Sequence, residues 1–104
     1  MSNSLVLTTS LVRWDGGTAA YHLVRIDGEP AEAIAMHARI ERLETGRRRG
    51  FGSVKVSARV GDTEWKSSVF PSKPNGWILL VSKKVMRAED LAEGDPVRLE
   101  LELL

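Results

Sequence analysis

The stretch PVRLELEL sets apolar Val97, Leu99, Leu101 and Leu103 against polar Arg98, Glu100 and Glu102. Side chains along a strand point alternately to opposite faces, so this run reads as a strand with one buried and one wet face. A helix would scatter the four apolar residues around its circumference. The same alternation returns in Val54, Val56, Ala58 and Val60 against Lys55, Ser57 and Arg59. Gly61-Asp62 follows, with the length and chemistry of a tight hairpin turn, and 64–70 is the return strand.

Five further segments complete the reading. Residues 5–14 and 20–26 are rich in leucine and β-branched residues and flank the turn signal Asp15-Gly16-Gly17. Residues 77–81 form a continuous apolar run, as in a strand covered on both faces. The loop before it, 71–76, holds two prolines. Between the second and third strands, 31–45 carries helix formers without glycine, with Pro30 suited to the first helical position and Gly46 to the C-terminal cap. Ala33, Met36, Ile40 and Leu43 recur at spacings of three and four. They are the expected buried stripe of the helix, with Arg39, Glu41 and Arg42 in solvent. Residues 85–91 suit a short helical turn with Val85, Ala88 and Leu91 on one side, stopped by Gly94-Asp95-Pro96. Six short strands with tight connections and one long helix predict a mainly β fold, a small barrel with the helix across an opening or face.

A chain of 104 residues is one domain, 1–104. It has no cysteine, which removes disulfides, thiolate nucleophiles and cysteine–metal sites. Its 15 basic and 14 acidic residues leave a net charge of +1, so overall charge does not call for a nucleic-acid partner, which is not expected, although local clusters still matter. No run approaches a membrane span, and MSNSLVLTTSLV lacks the basic residues that open a leader; a cytoplasmic location is expected. Monomer and homodimer are both compatible with the sequence.

The stretch RRRGFGSVKV, residues 47–56, nearly spells an RNA-recognition signature. That module stacks bases on strand aromatics, yet Ser53 and Val56 stand where two aromatics belong, and the strand LVLTTSL supplies none. Two strands precede the helix where that fold has one. Arg47, Arg48 and Arg49 therefore read first as cations complementing the helix C-terminus. His22 and His37 fall in no zinc-ligand spacing, so no metal is expected; His37 and Glu41, four apart, form a surface pair. Asp15, Asp27, Asp62 and Asp95 each adjoin glycine in turns. No catalytic constellation or cofactor motif is visible, and the protein is expected not to be an enzyme. At least two of the three tryptophans are expected to belong to the core.

From Gly50 onward the chain resembles the bacterial family called domain of unknown function nineteen-oh-five. The resemblance rests on the Gly61-Asp62 hairpin, the step Ser68-Val69-Phe70-Pro71, the strand 77–81, the turn 85–91 and Gly94-Asp95, with AAYHLVRI and the helix fitting upstream. It implies a six-stranded double-split β-barrel with one α-helix and a short helical turn, related in shape to AbrB-type regulators. The family pattern has proline where this chain has Leu80, lysine at Ser82 and arginine at Met86, followed by a basic residue matched by Arg87. These motifs are structural turns, so they speak to fold before function. The expected role is a non-catalytic barrel module binding a small molecule or a protein, with Ser68, Pro71, Trp77 and Arg87 as candidate ligand-binding residues near Ser67. Its bland counterpart is that Ser68 and Pro71 only shape a strand end. The alternative is an AbrB-like nucleic-acid binder using Arg47, Arg48, Arg49, Lys83 and Lys84.

Overall fold

A computed structural model describes residues 4–45, 52–72 and 75–104. The elements run β1 (Ser4–Asp15), β2 (Ala20–Ile26), α1 (Gly28–Thr45), β3 (Val54–Val60), β4 (Thr63–Ser72), β5 (Gly76–Val81), α2 (Lys83–Ala88) and β6 (Pro96–Leu103). The strands close an antiparallel barrel in the order β1-β2-β5-β4-β3-β6. All six expected strands are present, β2 and β3 with the expected ends.

The period-two pattern is what fills the barrel. Val54, Val56, Ala58 and Val60 of β3 point inward, as do Val97, Leu99, Leu101 and Leu103 of β6. Leu11, Val24, Ile26, Val69, Trp77, Leu79 and Val81 complete the lining, and Trp65 packs against it from the rim. The twelve-residue β1 serves two neighbours in succession. Ser4 to Ser10 pair with β6, and Leu11 to Asp15 pair with β2. The switch falls at Leu11, whose N–H donates to the Asp95 carbonyl at 2.9 Å while its carbonyl accepts from Gly94 at 2.7 Å.

Antiparallel alternation places the ends of β2, β4 and β6 at one mouth of the barrel, which α1 crosses. α1 docks through Ala31 and Ile34, both buried, with Ala38 partly buried beside them. The Trp77 indole N–H donates to the Ala31 carbonyl at 3.1 Å and pins the first turn. His37 reaches the Leu104 carbonyl at 3.2 Å and lies 3.6 Å from Glu41, in line with the expected pair.

The face that docks is not the one expected. Met36, Ile40 and Leu43 are 54%, 47% and 78% exposed. They lie roughly 200° around the helix from Ile34. Alanines at 31 and 38, on either side of the single large residue Ile34, let the helix axis approach the rim more closely than a stripe of Met36, Ile40 and Leu43 would. The helix also begins earlier, at Gly28, whose φ of +70 turns the chain out of β2. Pro30 therefore sits within the first turn, where its missing N–H still costs nothing. Gly46 lies outside the described residues.

At the opposite mouth α2 is the plug. Ser82 caps it, its hydroxyl accepting from the Val85 N–H at 3.2 Å, and Val85 is buried. This cap starts the helix two residues before the expected turn. Asp90, with φ of +52, then turns the chain away. Ala88 is exposed, not packed, and Leu91 lies beyond the helix, half-buried. Glu89 accepts from the Thr63 hydroxyl at 2.6 Å and ties α2 to the β3–β4 hairpin.

Two strand expectations also change. β4 continues through Pro71, which pairs with Trp77, and Ser72 pairs with Gly76. β3 pairing stops at Val54↔Val69, so Pro71 has no strand neighbour on that side and removes no ladder bond there. β5 is not covered on both faces. Trp77, Leu79 and Val81 point inward, but Ile78 and Leu80 point out, with Leu80 41% exposed. No described helix is long and apolar enough to cross a membrane.

Candidate functional site: an apolar field on the barrel wall

Strand register assembles the outward residues of β1, β2 and β5 into a grid. Trp14 lies opposite Tyr21, and Val12 opposite Leu23. Leu23 in turn lies opposite Leu80, and Arg25 opposite Ile78. Phe70 of β4 extends the last row, opposite Ile78. Directly opposed side chains on one face of an antiparallel pair are in contact range, so these residues form one continuous field. The Trp14 and Tyr21 rings stack, with centroids 5.9 Å apart and planes 27° from parallel.

The field is exposed and slightly concave. Trp14 is 56%, Tyr21 46% and Val12 45% exposed. The hollow along Val12, Trp14, Tyr21, Leu23, Ile78 and Leu80 encloses about 430 Å³. Its one charged border is held in place. Arg25 donates through Nε to Asp27 at 3.0 Å and through Nη1 to the Ser72 hydroxyl at 2.9 Å. A guanidinium fixed at both ends lies along the rim and leaves the centre apolar. Apolar surface patches of a few hundred Å² are often functional.

The residues singled out from sequence do not converge. Pro71 and Trp77 meet as ladder partners beside α1, where they border cavities of about 220 and 630 Å³. Trp77 is only 8% exposed and spends its N–H on Ala31, so its ring anchors the helix and offers no open ligand platform. Ser68 points outward opposite Lys55, and its neighbour Ser67 is the serine that faces in, opposite Val56. Arg87 sits on α2 at the other mouth, beside His22, Lys83, Met86 and Asp90. Ser68, Pro71, Trp77 and Arg87 thus occupy three separate surfaces.

Lys83 and Lys84 are exposed on the first turn of α2, and Glu89 and Asp90 follow directly after its last residue, Ala88. Arg47, Arg48 and Arg49 lie outside the described residues.

The field escaped the sequence reading although its signal was present. Val12 and Trp14, Tyr21 and Leu23, and Ile78 and Leu80 hold like parity in three strands where polar residues would serve solubility. Reading β5 as doubly buried absorbed the last pair and hid the pattern. No curated protein matches the chain. A family model does match, over residues 8–101: the chain belongs to the family described as domain of unknown function (DUF1905).

Proposed function

We propose that this domain is a non-catalytic interaction module whose field on β1, β2 and β5 docks a short, extended, proline-containing segment of a protein partner. The observation that carries this reading is the stacked Trp14–Tyr21 pair opening onto Val12, Leu23 and Leu80.

Area selects among occupants. Half-exposed Trp14 and Tyr21 each offer roughly 100 Å², given the 150–250 Å² of a whole aromatic residue. Val12 and Leu80 add roughly 60 Å² each at similar exposure. The total, roughly 320 Å², is less than half of the ~800 Å² per partner of a stable protein interface. A second copy would be held too weakly by this field alone. A segment of a few residues fits it. Each strand has a neighbour on both sides along part of its length, and the field lies on strand faces, so it is not itself an open sheet edge for strand addition. Flat aromatic faces flanked by aliphatics suit a polyproline helix, which arrives with little conformational entropy left to lose.

The test is a heteronuclear NMR titration with a proline-rich decapeptide carrying two leucines. Shifts are expected at the Trp14 indole, Tyr21, Leu23, Ile78 and Leu80. Trp14→Ala should weaken binding at least tenfold while lowering the melting temperature by only a few degrees, since more than half of the residue is exposed. Shifts confined to other surfaces would overturn the reading. So would a parent protein that sediments as a dimer while Trp14→Ala sediments as a monomer, because a second copy would then be the occupant.

A further inference from the structure

The barrel wall is not sealed throughout. The β4–β5 ladder runs from Ser72↔Gly76 to Val69↔Leu79 and stops. Beyond it, Trp65, Ser67 and Ser68 pair only with β3, while Leu80 and Val81 pair only with β2. The two strands diverge towards α2 and leave a cavity of about 370 Å³. Trp65, Leu80, Val81 and Tyr21 form its apolar walls, and His22, Ser67 and Lys83 border it. A neighbouring hollow of about 310 Å³ shares His22 and Lys83 and adds Met86, Arg87 and Asp90.

The polar groups here are uncommitted. Ser82 spends its hydroxyl on capping α2. Among the described residues, the side chains of His22, Ser67, Lys83 and Arg87 have no hydrogen-bond or ion-pair partner within the protein. Ser67 faces inward from β4, so its hydroxyl is directed to the barrel side of the opening. Arg13 lies opposite His22 in the β1–β2 ladder, on the same face, and adds a second guanidinium near this mouth. Asp90 is the single carboxylate bordering the two hollows. Lys83 and Arg87 outnumber it, and Arg13 extends the positive side.

We propose that this opening beside α2 binds a small organic anion with a flat apolar body, an aryl carboxylate or aryl phosphate. The ring lies between Trp65 and the Leu80–Val81 edge. The anionic group meets the Lys83 ammonium, with the Ser67 hydroxyl and the His22 ring as further hydrogen-bonding groups. A few converging polar groups in a mainly apolar hollow are the usual make-up of a small-ligand site. A charge at the lip and an apolar interior require both halves of the ligand at once. The site is separate from the outer field, sharing with it only Tyr21 and Leu80.

Benzoate and phenyl phosphate are the probes, with benzyl alcohol and benzylammonium as neutral and cationic counterparts. They are titrated into the whole protein at low salt and followed by amide shifts. Both anions should move Ser67, Val81 and Lys83, and leave Val12 and Ile78 still. Benzyl alcohol should bind more weakly, and benzylammonium should not bind. Lys83→Gln should weaken benzoate roughly fivefold, the scale of a solvent-accessible ion pair. Lys84→Gln, one residue on and away from the hollow, should leave it unchanged. Ser67→Ala tests the inward hydroxyl with no charge altered and should weaken both anions. The inference fails if benzyl alcohol binds as tightly as benzoate, if Lys83→Gln and Lys84→Gln behave alike, or if millimolar anion moves no resonance at this mouth.

Discussion

Replacing Ile34 by alanine, beside the same change at Ile40, tests how α1 is attached to the barrel. Ile34 is fully buried on the docking face, whereas Ile40 is 47% exposed on the opposite face. Ile34→Ala removes three carbons from a dry site, roughly 2.4 kcal/mol at ~0.8 kcal/mol each. The void under the helix adds to this, because the closed barrel rim cannot collapse to fill it, giving roughly 3–4 kcal/mol in all. At Ile40 about half of the transfer loss applies, roughly 1.2 kcal/mol. Alanine's better helix propensity returns about 0.4 kcal/mol of that. The net cost is below about 1 kcal/mol. For a domain of this size 1 kcal/mol corresponds to ~4 °C of melting temperature. Thermal unfolding followed by circular dichroism should therefore show a fall of roughly 12–16 °C for Ile34→Ala and less than about 4 °C for Ile40→Ala. Equal shifts, or the larger shift at Ile40, would mean that the helix lies on the barrel by its Met36–Ile40–Leu43 face and that the described packing is wrong.

Two further outcomes follow from the same packing. Leu101→Asp would place a carboxylate in the barrel core, where Leu101 is 2% exposed, at a cost of several kcal/mol; no folded species should be recovered, while Glu100→Gln melts like the parent. Trp77→Phe keeps most of the ring but leaves the Ala31 carbonyl without the indole donor, so urea unfolding should show a loss of roughly 1–2 kcal/mol.

The strands were legible because alternation on a barrel wall has only one solution. A one-residue slip in 97–103 would expose four leucine or valine side chains and bury Glu100 and Glu102. The helix face was not legible for the opposite reason. α1 carries two apolar stripes, and the larger residues lie on the wrong one. Choosing between Met36–Ile40–Leu43 and Ala31–Ile34–Ala38 requires knowing how closely the axis approaches the rim, which the sequence of the helix does not contain. The outer field and the α2 mouth depend on register between strands distant in sequence. Trp14 meets Tyr21, and Leu23 meets Leu80, only after the barrel has closed. The candidate residues drawn from Ser68 to Arg87 were neighbours along the chain, but α2 and the β4–β5 turn stand at opposite mouths.

The split allegiance of β1 sets the order of events during synthesis. Its second half can pair with β2 as soon as the Asp15–Ala20 turn forms. Its first half must wait for β6, since Ser4 meets Glu102 and Ser10 meets Pro96 across nearly the whole sequence. No other contact in the barrel spans so much chain, and closing so long a loop is an entropic cost that nothing local offsets until the final strand arrives. Until residues 96–102 have been made, the nascent chain carries a leucine- and valine-bearing strand with an open edge. That edge is the natural place for a chaperone to hold the nascent chain, and for two nascent chains to exchange strands if none does.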